Sequence, residues 1–178
     1  KDEPEGLPHN WWPQDYWLLK TDAERRKYGI PPIDHAIYTD KNAEVITGYV
    51  KAFEAFVNKA YLQKAITAAD ALLKDRLQPE GWMRQAVLNQ QMSNDQRVHP
   101  HTEEVRPFLR PQAQFGHALL DLYQVTGDDK WLKPARAIAD AMLATLYDNT
   151  NKGFFATVPD DTASLIPPRK PLEDNAMA

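Results

Sequence analysis

The chain has 178 residues, is 43% hydrophobic and 26% charged, and carries a formal net charge of −4, which suits one globular domain and leaves no basic stripe for a nucleic-acid backbone. Without cysteine it has no disulfide, no thiolate metal site and no thiol nucleophile. No apolar run approaches the roughly 20 residues that span a bilayer, so the expectation is a soluble protein, cytoplasmic or exported after removal of a leader, that meets membranes only through partners.

Residues 1–38 differ in texture from the rest of the chain. They carry Pro4, Pro8, Pro13, Pro31 and Pro32 and the aromatics Trp11, Trp12, Tyr16 and Trp17. Proline removes backbone donors and biases the preceding residue away from the helix, so an extended arm is expected, with one short helix within residues 14–27. The rings would anchor this arm by packing. Trp11, Trp12 and Trp17, with Trp82 further on, are also candidate ligand-binding faces, because flat aromatic rings stack on sugars and bases.

From Asp40, a plausible N-cap, the helical period takes over. Ile46, Tyr49, Val50, Phe53, Phe56 and Val57 recur at three- and four-residue spacing, and Asn58-Lys59 closes the helix. A second helix over 60–77 turns Leu62, Ala65, Ile66, Ala69, Leu73 and Leu77 inward and stops at Pro79-Glu80-Gly81. A third begins at Pro111 and runs through Phe115, Leu119, Leu122 and Tyr123 to Gly127, where Thr126-Gly127-Asp128-Asp129 ends one helix and caps the next. The fourth covers 131–147, with Pro134 tolerated in its first turn. A glycine followed by large apolar residues comes after each hairpin, in Gly81-Trp82-Met83 and Gly153-Phe154-Phe155, and reads as a turn into a short extended segment.

The two hairpins repeat one another at an offset of 70 residues: Leu62/Leu132, Ala65/Ala135, Ala69/Ala139, Asp70/Asp140, Ala71/Ala141 and Leu73/Leu143 are identical pairs. A fixed period marks units that bury their apolar faces against each other. Their alanine-rich second helices favour close axial approach. The fold class is all-α, a set of antiparallel helical hairpins forming part of an (α/α) toroid across 39–178, preceded by the Pro/Trp-rich arm of 1–38.

The phrase Ala118-Leu119-Leu120-Asp121-Leu122-Tyr123-Gln124-Val125-Thr126-Gly127-Asp128-Asp129-Lys130-Trp131-Leu132, with Asp140-Ala141-Met142 and Gly153-Phe154-Phe155-Ala156 after it, resembles the six-hairpin toroid domain that comes after the thioredoxin-like domain in bacterial relatives of the spermatogenesis-associated thioredoxin-domain proteins. That domain is similar to the N-acylglucosamine 2-epimerase and six-hairpin glycosidase folds. The resemblance covers roughly residues 39–178 and implies helices alternating between an inner and an outer ring, with loops bordering a central pocket. Three departures stand out. Arg110-Pro111-Gln112 occupies the place of the family's Asp-Asp-Tyr cluster, and Ile46-Thr47-Gly48 that of its Trp-Asn-Gly element. Residues 167–176 resemble the loop leading to a next hairpin, so the sequence supplies two complete hairpins where a closed ring needs six. The missing hairpins belong either to a longer parent chain or to other subunits.

Sugar chemistry in such pockets takes one carboxyl as proton donor and a second as base or nucleophile, roughly 5–10 Å apart, and the substituted acidic cluster removes the obvious pair. The remaining candidate catalytic groups are His117, in a place where relatives tend to carry an acid, with Arg110 and Glu103 at the pocket rim. His99 and His101, with Glu103 and Glu104 close behind on the long loop 89–110, have the residue types of an imidazole–carboxylate metal site, although on such a loop they read first as solvated surface. No glycine–serine elbow or phosphate loop is present, and no cofactor is expected. Two functions are open: a non-catalytic protein-binding or scaffold module, or a piece of a carbohydrate-active isomerase or glycoside hydrolase. Expected partners are other protein subunits or the missing hairpins, and carbohydrate in the second case.

Overall fold

The periodic stretch of sequence forms paired helices in the computed structural model, which describes residues 18, 21–27, 36–86, 106–159 and 168–178. The chain divides into two compact units, Lys1–His35 and Ala36–Ala178. In the first, the described residues hold the short helix α1 (Asp22–Arg26). It is nucleated by a capping box: Thr21 Oγ1 accepts from Glu24 N at 3.2 Å and Glu24 Oε2 accepts from Thr21 N at 3.0 Å. Trp11, Trp12 and Trp17 lie outside the described residues.

The second unit contains α2 (Thr39–Phe56), α3 (Lys59–Arg76), α4 (Leu109–Thr126), a 3-10 turn (Asp129–Trp131) leading into α5 (Leu132–Thr145), and α6 (Leu172–Met177). Its described residues form only isolated β-bridges and no longer strand. The unit is part of an (α/α) toroid. α2 and α3 make one antiparallel hairpin and α4 and α5 the next; α2 packs along α4, so the first helices form one layer, and each second helix packs on its own first helix. The core between them is filled by Ile46, Val50, Leu72, Phe115, Leu119, Leu122, Trp131, Ile138 and Leu146, with Ala65, Ala69 and Ala135 at the close approaches.

Helix ends explain how each hairpin closes. Asp40 is not the N-cap of α2. The helix starts at Thr39, and Tyr38, at the cap position, makes no side-chain capping bond. Asp40 is buried in the first turn, where its charge suits the helix dipole. The capping is done by main chain that returns from the far end of the hairpin: Thr39 N donates to Gln85 O at 2.8 Å and Thr39 Oγ1 donates to Arg84 O. The second hairpin repeats the device, with Leu109 N donating to Ala156 O at 2.9 Å. The returning segments are themselves anchored by antiparallel bridges, Leu77 to Met83 and Tyr147 to Phe154, beside Gly81 (φ +91°) and Gly153 (φ +79°). α2 ends at Val57, which adopts the left-handed conformation (φ 53°), and Asn58 opens α3 by accepting from Ala60 N at 3.0 Å. One period later Gly127 (φ 65°) and Asp128, accepting from Lys130 N at 2.9 Å, do the same between α4 and α5.

Candidate functional site

The surface of the second hairpin that faces away from the first is only partly covered. Val50 is fully buried where α2 meets α4, whereas Leu120, its counterpart one period on, is 42% exposed; Ala69 is buried and its counterpart Ala139 is exposed. Between α4, α5 and α6 this leaves a cleft of about 710 Å³. It is lined by Ala113, Gly116, His117 and Leu120 of α4, by Leu132, Lys133, Ala135, Arg136, Ile138 and Met142 of α5, and by Met177 and Ala178. Helix periodicity positions these groups: Ala113, Gly116 and Leu120 succeed one another at three and four residues and share a face. No Asp or Glu side chain is among the lining residues.

Of the side chains singled out in the sequence, His117 lines this cleft and Arg110 lies two turns earlier on α4, and both are engaged by α6. Arg110 donates from Nε to Asp174 Oδ1 at 2.8 Å and from Nη2 to Glu173 Oε2 at 2.9 Å. The hydrogen bond to Asp174 is the main reason the guanidinium holds its proton above the ordinary range, with the Asp174 charge next. His117 Nε2 lies 2.6 Å from Met177 O; because a carbonyl can only accept, this nitrogen is the donor. Both residues therefore fasten a third helix start to α4. Trp82, by contrast, is buried (8% exposed) at the end of the first hairpin, so its ring packs against protein instead of presenting a face to solvent. Glu103, His99 and His101 lie outside the described residues, and no cluster of metal-ligating side chains occurs among the described ones.

Residue types alone miss the polar groups that hold the repeats to each other. Gln112, fully buried, accepts from Met83 N at 2.6 Å through Oε1 and donates to Met83 O at 2.7 Å through Nε2. Asn175 does the same to Phe154, accepting at 2.6 Å and donating at 2.9 Å. Each amide sits four residues into a first helix and grips the returning segment of the hairpin before it. An amide at matching register in α4 and α6 is the available signal, hidden because Gln112 sits in an apolar stripe. Nor does the sequence point to Arg76; it is buried at the end of α3, and its Nε has no hydrogen-bond partner among the described residues.

No family model matches the chain. Among curated proteins it is 33% identical over 105 residues to the uncharacterized protein B0495.5 of Caenorhabditis elegans, a match that takes in 59% of this chain and 14% of that protein. Among solved structures it resembles a GH76 α-mannanase of Bacteroides thetaiotaomicron (20% identity, TM-score 0.57, covering 73% of this chain and 34% of that one). It also resembles a D-mannose isomerase (16%, TM-score 0.63, 82% and 38%) and the cellobiose 2-epimerase of Spirochaeta thermophila (16%, TM-score 0.60, 79% and 35%). These are six-hairpin glycosidase-like (α/α) toroids, and at such identities the likeness is one of fold. The chain spans about a third of their length (34–38%). No helix among the described residues is long and apolar enough to cross a membrane.

Proposed function

We propose that the chain is a non-catalytic scaffold module: a pair of toroid hairpins that binds further hairpins, of a longer parent chain or of other subunits, through its uncovered helix faces. The observation that carries this reading is the use made of Arg110 and His117. Both described candidates for chemistry are spent on seating α6: His117 from the wall of a mostly apolar cleft that no Asp or Glu lines, and Arg110 from outside that lining. Proton transfer at a sugar ring takes a positioned acid and base; seating a helix takes an apolar wall and a few polar fasteners. The segment from Ala118 to Leu132 supports kinship with the toroid domain of the thioredoxin-domain proteins, in which such hairpins would form one part of a larger ring.

A second reading has its own support, because the solved structures that share the fold include a mannanase, a mannose isomerase and a cellobiose epimerase. Under it, His117 would exchange protons with a sugar at the cleft. Incubating the intact chain with α-mannan, mannose and cellobiose separates the two. The scaffold reading expects no product above buffer and co-purification of the native polypeptide with additional hairpins. Turnover that disappears in His117→Ala while the helical circular dichroism is kept would overturn it.

A further inference from the structure

The amide clamp occurs at one register of every first helix, and one copy of it is unfilled. α2, α4 and α6 start at Thr39, Leu109 and Leu172, and the fourth residues are Asn42, Gln112 and Asn175. Asn175 makes three bonds: it accepts from Phe154 N, donates to Phe154 O, and donates to Pro171 O at 2.8 Å. Asn42 already holds the pose of Asn175, donating to Tyr38 O at 2.8 Å, but its Oδ1 and remaining N–H have no partner among the described residues. The helix face around it is open in the same sense. Phe115 and Ala118 of α4, buried completely against the first hairpin, correspond one period earlier to Val45, 55% exposed, and Gly48, where an added Cβ would meet nothing within 4 Å.

We propose that Asn42 is a main-chain docking site. It takes the N–H and C=O of one residue in the extended segment at the end of another helical hairpin of this kind, while Val45, Gly48 and Ala52 receive that hairpin's first helix. The occupant is defined by the two filled clamps. In both, the gripped residue is large and apolar, Met83 or Phe154, lies in extended backbone just after a glycine-containing turn, and bridges back to the end of its own hairpin. Such a segment offers one outward N–H and one outward C=O on the same residue, the pair a carboxamide matches in a single plane. A carboxylate, which only accepts, or an ammonium, which only donates, does not present that pair. The proposal deepens the scaffold reading and rests on it, since it names what one of the uncovered faces binds.

The test uses the intact chain labelled with nitrogen-15 and the peptide acetyl-Gly-Trp-Met-Arg-Gln-amide, the sequence of residues 81–85. The side-chain amide signals of Asn42 are expected to shift saturably with a Kd of about 1 mM or tighter. Replacing the methionine of the peptide by proline removes the N–H that Oδ1 would accept, and should weaken binding about tenfold. Asn42→Leu should weaken it by a similar factor; the position is half-exposed on a stable helix, so the variant keeps its fold, and Asn42→Asp, which keeps the acceptor and loses the donor, should fall between. No Asn42 shift at about 5 mM peptide, equal binding of the proline peptide, or an Asn42 amide already contacted by residues 1–35 in the free chain would each overturn the proposal. Absence of the shift together with absence of sugar turnover removes the clamp and leaves the scaffold reading standing. Turnover lost in His117→Ala removes the scaffold reading whatever Asn42 does.

Discussion

Gln112 shows how much a single side chain carries in this protein. Its carboxamide satisfies both polar groups of Met83, a residue with no exposed surface. Gln112→Leu keeps the volume and removes both partners, leaving a buried N–H and C=O without hydrogen bonds at a cost of about 1–3 kcal/mol each. The urea midpoint of the variant should correspond to a loss of about 2–6 kcal/mol, and a loss under about 1 kcal/mol would mean that water or a shifted loop restores the bonds. Gly81 is constrained from the other side of the same segment. Its φ of +91° suits glycine, and a Cβ there would lie 2.8 Å from Ala137 O on α5, so the loop of one hairpin touches the helix of the next. The glycine is legible as a turn from its neighbours Pro79 and Trp82; its contact with Ala137 is not, because nothing local links residues so far apart in the chain.

At the scale of the helix, equivalent positions of the two repeats solve one problem with different residues. Gly127 ends α4 in the left-handed region without strain, while Val57, its counterpart, takes the same conformation with a β-branched side chain that is 77% exposed and so gains little from packing. The left-handed conformation costs a non-glycine residue about 1–2 kcal/mol, partly offset by the about 0.5–1 kcal/mol of extra unfolded-state entropy that glycine brings. Val57→Gly is therefore expected to stabilise the chain by about 0.5–1 kcal/mol in thermal or urea unfolding, and destabilisation would show that the Val57 side chain packs more usefully than its exposure implies. The helices themselves are readable from three- and four-residue spacing. Their starts are less so: Asp40 has the residue type of an N-cap, yet the carbonyls of Arg84 and Gln85 serve the first turn of α2 instead.

Across the whole second unit, the seating of residues 168–178 depends on charge. Lys170 Nζ lies 2.6 Å from Asp148 Oδ2 and Arg110 holds both Glu173 and Asp174, so three ion pairs tie the third helix start to the second hairpin. The hydrogen bond from Lys170, aided by the backbone N–H of Asn151, holds the Asp148 carboxyl far below the ordinary carboxylate range. A folded-state value below the unfolded one makes this contribution fully present above the unfolded value of about 3.9 and lost as pH falls from there toward the folded value. Stability attributable to Asp148 should thus be flat from neutral pH down to about pH 5 and decline below about pH 4. Asp148→Asn should remove that part of the acid dependence, and an unchanged urea-midpoint profile between about pH 2 and 6 in the variant would exclude the pair as its source.

The amino-acid sequence by itself determined the all-α class, the four long helices and the 70-residue repeat, because helical periodicity and glycine stops act over a few residues and leave their mark locally. It also placed His117 on the third helix and Arg110 in the loop just before it, without showing what they touch; the helix begins at Leu109 and carries both. Only the tertiary structure decided that these two are drawn into holding α6, that Trp82 is buried, and that amides four residues into successive first helices grip the loops of the preceding hairpins. Those outcomes depend on which faces remain covered when one hairpin is laid against another, and burial of that kind is a property of neighbours in space that no spacing along the chain encodes.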